Sequence, residues 1–144
     1  MSEMDLTCKW FKKAKDDLIV ARHSFEDLFP KQIEIACYHA QQAVEKALKG
    51  FLLYNNIEPP KTHDLVVLCK MCAKIASKFK EKIDDCAILT LYSSITRYPN
   101  EIEMDESEAA TAIQKAQAIY DFNLEMISEL NSQKKDQGPT LPMQ

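Results

Sequence analysis

The stretch from Cys37 to Leu53 carries polar groups at helical spacing. On a helix that advances about 100° per residue, one arc of roughly 80° would hold His39, Gln42, Lys46 and Lys49. The opposite side would be apolar, with Ala36, Ala40, Ala43, Val44, Ala47, Leu48 and Phe51. Ammonium groups bind phosphate, and an imidazole exchanges a proton near neutral pH. The polar face therefore predicts a phosphate or nucleotide site; the alternative is a stripe buried between two copies of the chain, its charge balanced by Glu34 and Glu45.

Two more residues could contact an anion. His63 stands beside Asp64 at the expected start of a helix, where free backbone N–H groups favour negative charge. A cap alone, with an oxygen of Thr62 or Asp64 on those groups, is the interpretation that needs no ligand. Arg97 could hold a phosphate through two hydrogen bonds, or it could stabilise a helix C-terminus and pair with nearby glutamates.

The remaining polar and thiol motifs favour structural roles. Cys69 and Cys72 have CxxC spacing, but on a helix they share the buried face of Leu65 and Leu68, and no second Cys/His pair follows. We therefore expect core thiols, no metal and no cofactor. An odd count of five cysteines is typical of reduced thiols in a cytoplasmic protein. The acidic pairs are expected to be solvated, namely Asp16-Asp17 and Asp84-Asp85.

Composition narrows the functional class. The chain has 144 residues, enough for one domain. Its net charge of −4 predicts no general electrostatic attraction of nucleic acid and leaves only a local basic patch as the alternative. With only two glycines, no glycine-rich phosphate loop is present. The sequence shows no run long enough to span a membrane and no signal peptide, so we expect a cytoplasmic protein without a membrane partner.

Hydrophobic periodicity predicts five helices and no strand. Their expected ranges are about 5–28, 31–54, a third from 62 or 63, 80–96, and 105–130. On the fourth helix the expected buried side is Ile83, Ala87, Leu91 and Ile95. Short connections predict an all-α, up-and-down antiparallel bundle of four to five helices over residues 1–130. Residues 131–144 are expected to form a mobile polar tail.

Three pieces of the chain, in order, resemble the HEPN family, the higher eukaryote and prokaryote nucleotide-binding domain. They are His39–Lys49, Lys61–Leu65 with Leu68, and Arg97–Pro99. The resemblance spans about residues 5–130 and implies a helical bundle that is usually a homodimer. Many relatives are encoded beside a minimal nucleotidyltransferase, as toxin–antitoxin or stress modules. Several are metal-independent ribonucleases with an arginine followed, after four to six residues, by a histidine.

The chain departs from that last pattern, because positions 98–104 after Arg97 contain no histidine. We therefore expect a module that binds a nucleotide, RNA or a partner nucleotidyltransferase without strong catalysis of its own. One alternative is an atypical ribonuclease in which Arg97 stabilises the phosphate and His39 or His63 replaces the missing histidine. The other is a pure protein-interaction module. A homodimer is also expected, because an apolar patch is predicted from the distribution of Trp10, Phe51, Tyr92 and Tyr120.

Overall fold

The computed structural model describes residues 2–94 and 104–137, and over these ranges the chain forms helices and no strand. The five α-helices are α1 (Glu3–Glu26), α2 (Ile33–Tyr54), α3 (Leu65–Ala73), α4 (Ile83–Leu89) and α5 (Glu106–Gln137). Two 3-10 turns flank α4, at Ser77–Lys82 and Thr90–Tyr92. The predicted fold class, an all-α up-and-down antiparallel bundle of four to five helices, is confirmed.

Helix α1 begins at a capping box and lies along α2. The Ser2 hydroxyl accepts a hydrogen bond of 3.1 Å from the Asp5 N–H, and the Asp5 carboxylate accepts one of 3.3 Å from the Ser2 N–H. This exchange satisfies donors that a helix N-terminus otherwise leaves free. The stripe that α1 buries recurs at helical spacing and consists of Phe11, Ala14, Leu18 and Ala21.

Helix α2 is the central element, since it contacts α1, α3 and α5. The apolar face predicted from the sequence is fully buried, and its four alanines are Ala36, Ala40, Ala43 and Ala47. Small side chains let neighbouring helices approach α2 closely. The chemistry of α2 is therefore confined to its polar face, where side chains can reach other polar groups or water.

Gly50 lies where α2 packs tightly against Trp10 and Phe11 of α1. A Cβ added at position 50 would lie 2.8 Å from Phe11 Cε2 and 3.1 Å from Trp10 Cβ. We expect Gly50→Ala to lower the free energy of unfolding by about 1 kcal/mol. Overpacking costs about 1–3 kcal/mol, which exceeds the gain of about 0.5–1 kcal/mol from alanine's helix propensity. Urea unfolding measures the change, and a more stable variant would contradict the prediction.

Helices α3 and α4 close one part of the core. Leu65, Leu68, Cys69 and Cys72 are buried, as predicted. On the predicted face of the fourth helix only Ile83 packs against the core among the described residues, whereas Ala87 is exposed and Leu91 is 73% exposed. The buried residues there are Cys86, Leu89 and Tyr92. Cys86 and Leu89 lie three residues apart on α4, and the 3-10 turn that follows, with three residues per turn, keeps Tyr92 on the same side and Leu91 outside. Ile95 lies outside the described residues.

Helix α5 continues to Gln137, beyond its expected end at about residue 130. The beginning of the expected tail is therefore helical. The Lys134 ammonium lies 4.9 Å from the centroid of the Tyr54 ring, which gives this last segment a contact with α2. Residues 138–144 lie outside the described residues, and their mobility stays a prediction.

The aromatic residues are distributed differently from the sequence-based expectation. Phe51, Tyr92 and Tyr120 are buried, and Trp10 alone of the four keeps a half-exposed ring. The reason is tertiary, because Phe51 packs against Phe79 at a centroid distance of 4.6 Å. The argument for a dimer from an apolar patch is therefore wrong for those three residues, and the homodimer stays a prediction. None of the helices over the described ranges has the length and apolar character to cross a membrane.

Candidate functional site

The polar face of α2 is divided between two buried carboxylates. The first is Asp17 of α1: its Oδ1 lies 2.8 Å from His39 Nδ1, and its Oδ2 accepts a hydrogen bond of 2.6 Å from Lys46 Nζ. The side chain of Asp17 is 9% exposed, while those of His39 and Lys46 are 27% and 24% exposed. Asp17 thus holds two of the predicted ligand-binding residues and ties α1 to α2.

The expectation that Asp17 is solvated is wrong, whereas its neighbour Asp16 is exposed and pairs with Lys12 at the surface. A signal was present in the sequence. Asp17 follows Ala14 by three residues and precedes Ala21 by four, so it lies on the buried stripe of α1. A carboxylate at such a position needs a cation to pair with.

The second buried carboxylate is Glu45 of α2. Its Oε1 lies 2.9 Å from His63 Nδ1, and its Oε2 accepts a hydrogen bond of 3.0 Å from Lys49 Nζ. Gln41 donates to the same Oε1 at 3.3 Å, and Gln42 in turn donates to Gln41 Oε1 at 2.8 Å. The side chains of Glu45 and Lys49 are almost fully buried, but that of His63 is 72% exposed.

The backbone of the loop that carries His63 is held by hydrogen bonds from side chains of other elements. The His63 carbonyl accepts hydrogen bonds from Gln41 Nε2 at 3.1 Å and from the Thr90 hydroxyl at 3.2 Å. The Thr90 hydroxyl also accepts from the Leu65 N–H at 3.1 Å. The imidazole is therefore exposed but attached to a rigid segment.

The start of α3 shows the cap that the sequence offered as the alternative to an anion site. Asp64 Oδ1 accepts from the N–H groups of Val66 and Val67 at 2.9 and 3.3 Å. Together with the bond from Leu65 to Thr90, these contacts occupy the first three N–H groups of the helix. An anion finds no free donor there, and the capping interpretation is confirmed.

Both buried carboxylates are held in the ionised form. Burial by itself raises the pKa of Asp17, but hydrogen bonds from His39 and Lys46 outweigh it and lower that pKa. For Glu45, burial again raises the pKa, but hydrogen bonds from His63 and Lys49 outweigh burial and lower that pKa. An ionised carboxylate only accepts, so each histidine donates through Nδ1 and a neutral ring presents Nε2 as an acceptor.

The predicted ligand-binding residues therefore fall into two clusters rather than one site. His39 and Lys46 belong to the Asp17 cluster, which we define as Asp17, His39 and Lys46. Lys49, His63 and Gln42 belong to the Glu45 cluster, which we define as Glu45, Lys49, His63, Gln41 and Gln42. Arg97 lies outside the described residues. Over those residues no group of His, Cys, Asp and Glu side chains could hold a metal ion.

A groove beside the Glu45 cluster was missed by the sequence-based predictions. A cavity of about 370 Å³ is lined by Leu6, Trp10, Lys49, Leu53, Glu58, Pro59, Pro60 and Lys61. A second cavity of about 210 Å³ is lined by Leu6, Lys9, Trp10 and Lys13. The two share Leu6 and Trp10, and we call them together the Trp10 groove. The Lys49 ammonium lies 5.9 Å from the centroid of the Trp10 ring.

The lysines of the Trp10 groove differ in whether they have an ionic partner. Lys49 is paired with Glu45, but Lys9, Lys13 and Lys61 make no hydrogen bond or ion pair within the described part of the chain. The signal in the sequence was the spacing of Leu6, Lys9, Trp10 and Lys13, which places an aromatic ring and two lysines on one face of α1. That face can offer both stacking and positive charge to a ligand.

The fold and this arrangement define a small all-helical bundle whose central helix, α2, has a buried apolar face and a polar face. The HEPN domain family model matches residues 7–127, and the chain belongs to that family. Membership supports a nucleotide- or RNA-related module in general terms. The chain is also similar to a crystal structure of TT1696 from Thermus thermophilus, with a TM-score of 0.70 and 27% sequence identity over 83% of this chain and 96% of that one. No curated protein matches the sequence.

Proposed function

We propose that this protein is a HEPN module that binds a nucleotide or RNA without strong catalysis of its own. The observation that carries the proposal is the meeting of Lys49 and Trp10 in one groove. The Lys49 ammonium is fixed by Glu45 at 3.0 Å and lies 5.9 Å from the Trp10 ring centroid. A base can stack on an aromatic face while an ammonium contacts its phosphate, and this combination is typical of nucleic-acid sites.

The proposal assigns different roles to the two clusters. The residues of the Asp17 cluster line neither cavity of the Trp10 groove, and their contacts hold α1 to α2. In the Glu45 cluster the exposed His63 and the groove-lining Lys49 share one carboxylate, which supports a role for both beside a bound ligand. We therefore assign ligand contact to the Glu45 cluster and structural support to the Asp17 cluster.

Weak or absent ribonuclease activity is part of the same proposal. The two imidazoles that could replace the missing histidine, those of His39 and His63, are bound to different carboxylates. Neither belongs to the Arg-x4-6-His pattern of the family's ribonucleases. Homodimer formation and association with a minimal nucleotidyltransferase, as in toxin–antitoxin modules, are further parts of the proposal and follow from the family resemblance.

Trp10 is the chain's single tryptophan, so its fluorescence reports on the groove alone. We expect titration with AMP, ATP or a short unstructured RNA to quench this emission to saturation, because a bound base stacks on the ring. Lys61→Gln should weaken binding severalfold, because it removes an unpaired cation from the groove. The control Lys78→Gln removes a surface lysine that does not line the groove, and should leave affinity unchanged.

The same samples test the remaining part of the proposal. Labelled RNA incubated with the protein in EDTA should stay intact on a denaturing gel. Anisotropy of the labelled RNA detects binding at any other place on the protein. Absence of both quenching and an anisotropy change with every nucleotide and RNA would refute nucleotide or RNA binding, and efficient cleavage in EDTA would favour the ribonuclease alternative.

A further inference from the structure

We infer that the Trp10 groove takes a single strand of several nucleotides rather than one mononucleotide, an inference that rests on the proposed function. The two cavities of the groove meet at Leu6 and Trp10, so Trp10 lies in the wall of both. Lysines line both cavities, with Lys49 and Lys61 in one and Lys9 and Lys13 in the other. A ligand that uses all of these groups must pass across Trp10.

The distribution of charge strengthens this inference. In the larger cavity Lys49 is offset by Glu45, and Glu58 lines the same cavity as Lys61. The smaller cavity is lined by Lys9 and Lys13 with no acidic residue. The uncompensated positive charge of the groove therefore lies in the smaller cavity, which Lys49 does not line. The phosphate of a mononucleotide bound beside Lys49 would leave this charge without a partner.

Lys9 and Lys13 stand one turn apart on α1, where their like charges disfavour the helix. Neither has an ionic partner within the described residues, although the nearby Lys12 pairs with Asp16 on another face of the helix. An anionic ligand would relieve this repulsion. A polynucleotide supplies phosphates at regular intervals, and so can pair with lysines on both sides of one stacked base.

Single-stranded ligands fit the groove better than duplexes. A base can stack on Trp10 only when its own face is free, which requires an unpaired and unstacked nucleotide. The apolar remainder of the lining, Leu6, Leu53, Pro59 and Pro60, can contact the flanking bases or sugars without hydrogen bonds. Such contacts are tolerant of sequence, so we expect weak base preference.

The test compares AMP with an unstructured RNA of about eight nucleotides, a length within the usual site size for single strands. We expect the RNA to bind at least about tenfold more tightly and to quench Trp10. The double variant Lys9→Gln/Lys13→Gln should weaken RNA binding at least about fivefold while leaving AMP binding unchanged. Loss of two phosphate contacts should also reduce the slope of log affinity against log salt by about 1.4.

Two further variants complete the design. Lys12→Gln is the matched control, because it removes a lysine of the same helix that lines neither cavity, and it should leave RNA affinity unchanged. Trp10→Leu should weaken RNA binding at least about fivefold by anisotropy, and Trp10→Phe should restore most of it. Circular dichroism checks the fold of each variant. If Trp10→Leu fails to fold, the exposed Lys9 and Lys13 variants still decide the question.

The possible outcomes separate the inference from the proposed function. If AMP and RNA bind with equal affinity and Lys9→Gln/Lys13→Gln has no effect, the inference of a bound single strand is overturned, while the proposal of nucleotide binding is still supported. If the Trp10 and lysine substitutions do not change the affinity for RNA, the groove is not the binding site, but the proposed function is still supported. Failure of every nucleotide and RNA to bind removes both. Saturable quenching by an acidic leucine-containing peptide but not by RNA would make the groove a protein-docking site and also overturn the inference.

Discussion

Asp17→Asn is expected to lower the free energy of unfolding by about 2–3 kcal/mol. Breaking a buried ion pair from one side costs about 3–5 kcal/mol, because it leaves an uncompensated charge. Here Lys46 and His39 keep 24% and 27% exposure, so water offsets part of that cost. Urea denaturation at neutral pH measures the change from the shift of the unfolding midpoint.

The neighbouring residue provides a matched control. Asp16 is 55% exposed, and its partner Lys12 is 76% exposed one turn away, a geometry worth at most about 0.5 kcal/mol. Asp16→Asn makes the same chemical change one position earlier and should leave stability nearly unchanged. Equal losses in the two variants would show that Asp17 is not held as described.

The pH dependence of the same comparison gives a second readout. The pKa of Asp17 is lower in the folded protein than its ordinary value, because the hydrogen bonds from His39 and Lys46 outweigh burial. Its contribution to stability is therefore complete above the unfolded pKa of about 3.9, and is lost as the pH falls through the lower folded value. The stability difference between wild type and Asp17→Asn should shrink with acid below about pH 4. Glu45 titrates in both proteins, so its effect cancels in the difference.

Glu45→Gln is expected to cost about 3 kcal/mol, the largest loss of any single substitution proposed for this chain. The Lys49 side chain is only 10% exposed and Glu45 is its one ionic partner within the described residues. The neutral amide that replaces the Glu45 carboxylate cannot compensate the charge of the Lys49 ammonium, and it must also provide the hydrogen-bond acceptor for His63 and Gln41. The loosening of His63 and Lys49 should in addition weaken nucleotide or RNA binding.

A second substitution separates the charge from the packing. In Glu45→Gln/Lys49→Met both charges are absent, and most of the lost stability should return, because an apolar side chain costs less to bury than an unpaired ammonium. RNA affinity should stay low in this double variant, since Lys49 lines the groove. The control Glu129→Gln breaks the surface pair with Lys78, whose side chains are 44% and 60% exposed, and should be close to neutral. A stability loss in Glu45→Gln that Lys49→Met leaves unchanged would contradict the account of a buried charge.

The helices and most of their buried faces could be predicted from the sequence, because helical periodicity is a local property. Ala40, Ala43 and Val44 lie on the buried face of α2 wherever that helix packs. The capping alternative at Asp64 was likewise readable, since a cap involves only residues two or three positions apart. The buried face of α4 could not be predicted, because packing against other helices decides which side of this short helix is buried. The 3-10 turn at Thr90–Tyr92 then changes the angle per residue beyond it.

The polar residues of α2 were identified from spacing alone, but their partners were decided by tertiary structure. Asp17 meets Lys46 and Glu45 meets His63 only because the loops bring α1 and the start of α3 to one side of α2. The register between two helices depends on how their side chains interlock along the whole contact, which no local pattern contains. The Trp10 groove has the same origin: its lysines lie in α1, in α2 and in the loop before α3, and only packing places them around one ring.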